Sequence, residues 1–240
     1  MAMTAGIRAT ITIMPERPPA AGNPHSLIRL MTWLSPAFPV GGFAYSGGLE
    51  AAVVEGHVCE AGDLAVWLDT LLVAGPLRND AILLAEAHRA FNDPGRLSEV
   101  ADLAGALAGS AERYQEVVRQ GDAFLAAASA WPQPQMAPLH ADTAYGVAVG
   151  AVSAANGVAL ADALVAFLQA QCAQLVSAAI RLGIIGQTQG VGILAGLEPA
   201  ILRQAEETCG LGLNDLGSAT VIADVLSMRH ESQYSRLFQS

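Results

Sequence analysis

A chain of 240 residues that is 52% hydrophobic and only 14% charged has enough material for a large core and too little polar material to cover its own surface, since ordinary chains are about 25% charged. Its net charge is −10 and all 12 basic residues are arginine, with no basic stripe, which excludes a nucleic-acid partner. Lysine is absent and no GxxxxGK[ST] run occurs, which excludes a phosphate loop.

Such a chain must place its apolar surface in a membrane or against partners. The longest uncharged runs, Thr143–Ala161 and Ala163–Ile180, are interrupted by Asn156-Gly157 and by Gln169, Gln171 and Gln174. Neither is the continuous apolar span of about 20 residues that a bilayer requires, so no membrane partner is expected. Cys59, Cys172 and Cys209 are odd in number and far apart. They form neither a disulfide framework nor a CxxC metal pair, and a reducing cytoplasm is the simplest compartment.

In chain order, residues 1–25 read as a disordered or loosely attached lead. Arg8 and the prolines at 15, 18 and 19 argue against a secretory signal. A short helix follows over Ser26–Leu34, with Ser26 as its N-cap. Ser35–Glu50 then carries Pro36, Pro39, Gly41-Gly42 and Gly47-Gly48 among Phe38, Val40, Phe43, Tyr45 and Leu49. Prolines fix φ and glycines tolerate positive φ, so this is a shaped apolar turn. It is either a structural elbow or a fixed surface that another protein reads.

Helices are expected at about 46–56, 61–74, 77–91, 94–109 and 110–130, with Pro76 and Pro94 at helix starts and Ser110 as a cap. Leu64, Trp67, Leu68, Leu71 and Leu72 form the inner face of the 61–74 helix. Trp131–Pro138 holds three prolines and is a linker or a long crossover. Between Thr143 and Leu197 only Asp162 and Arg181 are charged. This segment divides into helices at about 142–155, 159–182 and from 188, the last bent or broken at Pro199. It is the bundle core, a self-association face, or both. Ser218 is expected to cap a final helix over 219–228, with Ile222, Val225 and Leu226 as its buried edge. The expected fold is all-α: a single helical bundle of about ten helices over 26–228, with a flexible lead at 1–25 and a partner-binding tail at 229–240.

Few residues invite chemistry. Glu55, His57, Cys59 and Glu60 crowd a helix end, but positions two apart diverge on a helix. His140 and Asp142 share a loop. GxSxG and HExxH are absent, and Asp69, Glu86 and Asp224 read as solvated faces. No catalytic, cofactor or metal site is expected. The tail, however, sets Tyr234, Leu237 and Phe238 between Arg229 and Arg236, residue types that anchor interfaces. It either docks on its own domain or orders on a partner.

Leu34-Ser-Pro-Ala-Phe-Pro-Val-Gly-Gly-Phe-Ala-Tyr-Ser-Gly-Gly-Leu-Glu50 and Met228-Arg-His-Glu-Ser-Gln-Tyr-Ser-Arg-Leu-Phe-Gln-Ser240 resemble the two terminal signatures of the UreF family, urease accessory proteins. His140-Ala-Asp-Thr-Ala-Tyr-Gly and Arg181-Leu-Gly with Gly186-Gln-Thr-Gln-Gly190 are a weaker middle match. The resemblance implies an all-α, non-enzymatic, cytoplasmic chaperone subunit for nickel insertion into apo-urease. It further implies binding to UreD (also called UreH), recruitment of the GTPase UreG and, in some members, a homodimer. The residues expected to bind partners are Pro39, Gly41, Gly42, Phe43 and Tyr45, then Ser46, Gly48, Leu49 and Glu50. In the tail they are Arg229, His230, Glu231, Tyr234, Ser235, Arg236, Leu237 and Phe238. The competing expectation is a helical metal-dependent enzyme using His57, Cys59 and His140.

Overall fold

A computed structural model describes residues 23–133 and 135–240; the expected lead lies outside the described residues up to position 22. Among the described residues there are ten α-helices, two short 3-10 turns and no strand, so the chain is all-α.

α1 (Pro24–Trp33) starts two residues before Ser26. Asn23 is the cap, accepting from the His25 amide at 3.1 Å, and Pro24 takes the first helical position, where its missing amide costs nothing. Ser26 is buried and donates to the Gly157 carbonyl instead. α2 (Leu49–Val54) is one short helix after the apolar turn. α3 (Ala61–Ala74) is capped by Glu60, and α4 (Pro76–Arg89), α5 (Pro94–Ala106) and α6 (Ala111–Ala128) begin at Pro76, at Pro94 and after Ser110, where the proline and cap signals place them.

α7 (Tyr145–Ala155) is the axis of the molecule, buried continuously from Tyr145 to Ser153 and crossed by α4 and α6. Its small residues make that possible: a Cβ at Gly150 would overlap the Leu84 carbonyl of α4. α8 (Leu160–Arg181) has the length and apolarity of a membrane span, yet it packs between α9, α4 and α7. The apolar segment from 143 therefore fills the core. α9 (Gln187–Thr208) runs through Pro199 without a break, because Ile193, Leu197, Ala200 and Ile201 stay packed on either side of it.

The proline-rich break is threaded into the bundle. Trp131 lies 5.7 Å from Trp33, Phe38 lies 5.6 Å from Phe124, and Phe124 lies 5.6 Å from Tyr145. This aromatic chain ties the apolar turn and the crossover to α1, α6 and α7. Each such pair contributes about 0.5–1.5 kcal/mol beyond its buried area.

The last helix departs most from expectation. α10 (Val221–His230) is preceded by Thr220, not Ser218, and it extends through Arg229 and His230. Its buried residues are Ala223, Leu226, Ser227 and His230; Ile222 and Val225 face outward. The period is helical as expected, but the phase is set by His230, whose polar partners inside the molecule turn that stripe inward.

Candidate functional site

The apolar turn has a definite shape. Gly41 (φ 72°), Gly47 (φ 58°) and Gly48 (φ 83°) are left-handed, a region glycine enters at little cost. Gly48 also backs onto α10: a Cβ there would sit 3.3 Å from the Ser227 backbone. Gly42 is needed for space alone, with the Gln174 side chain 2.6 Å from where its Cβ would be.

The tail closes onto this turn. Glu50, buried at the start of α2, accepts from the amides of Leu237 (2.7 Å) and Phe238 (2.9 Å) and faces His230 Nε2 at 3.1 Å. Glu112 of α6 faces His230 Nδ1 at 2.6 Å and takes Arg236 at 2.5 Å. The Gln239 amide donates to the Ala44 carbonyl at 2.8 Å, the Ser46 amide donates to the Ser240 carbonyl at 3.0 Å, and Ser240 Oγ donates to Glu116 at 2.8 Å. Phe238 is buried with the Arg181 guanidinium 4.4 Å above its ring, and Arg181 also donates to the Phe43 carbonyl.

The residues expected to bind partners thus divide in two. Gly42, Tyr45, Ser46, Gly48, Leu49, Glu50, His230 and Phe238 are buried and build the joint between turn and tail. Pro39, Phe43, Arg229, Glu231, Tyr234, Ser235, Arg236 and Leu237 are exposed, and Gly41 lies between. Phe43 is 75% and Leu237 54% exposed, and Tyr234 is entirely so.

Beneath α10 lies a cavity of about 190 Å³, walled by α4, α5, α6 and α8 and lined by Asp80, Arg113, Glu116, Gln171, Gln174 and Ser227. Arg113 contacts Asp80 at 2.5 Å and Glu116 at 3.0 Å. Burial works against the charge on Arg113, but Glu116 and Asp80 outweigh it and hold the guanidinium protonated. Burial raises Asp80 above the usual carboxylate range, against the pull of Arg113.

The UreF family model matches residues 58–198. The chain is 57% identical over 215 residues to the urease accessory protein UreF of Agrobacterium fabrum and 55% identical to those of Mesorhizobium japonicum and Rhizobium etli. Each alignment covers 90% of this chain and 96% of the relative. The chain belongs to the UreF family. UreF is a chaperone-type accessory family of urease maturation and not an enzyme family.

In this UreF chain the side chains named for the enzyme alternative do not come together among the described residues. His57 comes no closer than 4.0 Å to Glu55, the Cys59 amide donates to Asp63, and His140 sits beside Asp102 on α5 at 3.5 Å. Asp142 turns left-handed and its amide donates to Asp122. Among the described residues no three His, Cys, Asp or Glu side chains converge as metal ligands. Glu86 corrects another expectation: it is buried and pairs with Arg89 and Arg96, while Arg89 also donates to the Cys209 and Leu211 carbonyls at 2.7 Å. Sequence reasoning missed Glu112 and Glu116, which hold the tail from α6. Their i, i+4 spacing on one helix face was the available signal.

Proposed function

We propose that this UreF chain is the adaptor of a nickel-insertion complex in the cytoplasm. The seam where the turn meets the tail binds UreD (UreH), and that pair recruits UreG to load apo-urease. The observation that carries this reading is the composition of the seam. Phe43 on the turn and Tyr234 and Leu237 on the tail stand largely in solvent, on a joint held by Glu50 and the buried Phe238. Exposed aromatics on an ordered base suit a protein partner, and ordering the base beforehand lowers the entropy cost of binding.

The outer residues can be tested apart from the inner ones. Tyr234→Ala with Leu237→Ser removes apolar contact area without touching the buried joint. The doubly substituted chain is expected to keep its helical circular dichroism and to lose co-purification with UreD, and with it UreG in the presence of GTP. A folded double variant that still captures UreD overturns the assignment.

A further inference from the structure

The cavity beneath α10 has two parts. A chamber of about 190 Å³ adjoins an inner recess of about 10 Å³, and Asp80, Leu83, Arg113, Val117, Ala144 and Gln171 line both. The recess has room for one water-sized group, and the chamber exceeds the roughly 150 Å³ that takes a benzene ring. Leu107 and Gly109 between α5 and α6, and Gly217 and Ser218 before α10, line the chamber and are exposed, so its mouth opens to solvent there.

The charges inside do not balance. Asp80 and Glu116 share the single guanidinium of Arg113, which leaves one buried negative charge in excess. Burial raises Asp80, and Glu116 adds to this although Arg113 opposes it, as expected of a carboxylate that is not fully neutralised. Asp224 brings a further carboxylate to the mouth, where the Ser218 hydroxyl meets it at 3.5 Å.

The recess also lacks donors. Arg113 meets Asp80 at Oδ2 and leaves Oδ1 over. Gln120 is only 2% exposed, lines the recess and donates through Nε2 to Glu116 Oε1 at 3.3 Å. A carboxylate only accepts, so this bond fixes which way the Gln120 amide is turned. Its carbonyl oxygen then has no partner among the described residues, and an unpaired acceptor at such depth is rare and costly. Gln171, also buried, supplies a third acceptor.

We propose that this cavity is a binding site for a primary alkylammonium, with its charged head in the recess and an apolar body of about six carbons in the chamber. The head is water-sized and carries three donors and no acceptor, which suits Asp80, Gln120 and Gln171. It also sets two cations against the two buried carboxylates. The body lies against Leu71, Leu77, Leu83, Val117 and Leu175. A metal ion fits less well, because the wall is largely aliphatic and no three ligand side chains converge among the described residues. An anion meets the excess negative charge, and a planar guanidinium is too large for the recess. The site is a property of the free chain and does not depend on which protein meets the seam.

The test is calorimetric titration of the full chain with hexylammonium chloride at pH 7, where the amine is charged. Saturable one-to-one binding is expected, at least about tenfold tighter than that of hexan-1-ol, which lacks the charge. Ammonium chloride, which lacks the apolar body, is also expected to bind at least about tenfold more weakly, and hexanoate not at all. Asp80→Asn is expected to weaken hexylammonium binding by about tenfold or more. Asp80 also anchors Arg113, so the native chain supplies a second reading that needs no variant: nuclear Overhauser contacts from the ligand methylenes to the methyls of Leu83 and Val117. Equal affinity for hexylammonium and hexan-1-ol overturns the site, as does a chamber that holds only water and takes neither. Contacts confined to other residues, or a folded Asp80→Asn chain that binds as the native one does, overturn it as well.

Discussion

Glu50 shows how one side chain joins two distant stretches: it serves two tail amides and a histidine from inside α2. Glu50→Ala removes the partner of two tail amides and of one His230 ring nitrogen, and is expected to cost about 3–5 kcal/mol of tail docking. Trypsin reads this directly. The chain has no lysine, and Arg229 and Arg236 lie in the last helix and the tail, so cleavage at these two positions should accelerate while the core fragment survives. Gly48→Val meets both a left-handed φ and the Ser227 backbone; its expected cost is about 1–3 kcal/mol by urea denaturation. Gly42→Val meets only the end of the Gln174 side chain and should cost less. His57→Ala, at an exposed loop, should cost least. At His88, burial lowers the imidazole below its ordinary range; Arg89 adds to this and the Val158 carbonyl opposes it. The unfolded chain then takes up a proton before the folded one does. Stability is lost as pH falls below about 6.5, and His88→Gln should narrow the gap between urea midpoints measured above and below that pH.

At the scale of elements, the helices were legible because their ends are local events. Pro76, Pro94 and Ser110 stop or start a helix by their own φ, missing amide or side-chain oxygen, and no distant contact is needed to see it. α7 was legible as a core helix from its lack of charge, but its closeness to α4 was not. That closeness makes Gly150→Val the most damaging single change expected in the bundle. A side chain there must displace the Leu84 backbone, so a loss of more than about 3 kcal/mol, or no folded protein, should appear on urea titration. α10 marks the opposite case. Its period could be read, but the buried side could not, because His230 is drawn inward by carboxylates on α2 and α6.

For the whole molecule, the tail is part of the fold that presents it. Deleting residues 231–240 removes Phe238 from the core, worth roughly 1.5–3 kcal/mol of apolar burial, and strips Glu50 and Glu116 of partners. For a chain of this size that corresponds to a drop of about 3–12 °C in melting temperature, with the helical spectrum per residue retained; an unchanged melting curve would mean the tail contributes nothing to the stability of the free chain. By itself, the sequence determined the all-α class and most helix positions, since caps, prolines, glycines and apolar period act over a few residues, and it singled out the two stretches here proposed to bind partners. Only the tertiary structure decided that those two stretches are one joint, that half of their residues lie inside it, and that Glu112 and Glu116 hold it. The contact between Glu50 and His230 spans 180 positions, and pairing across that distance is chosen by packing and charge in space, which no local pattern records.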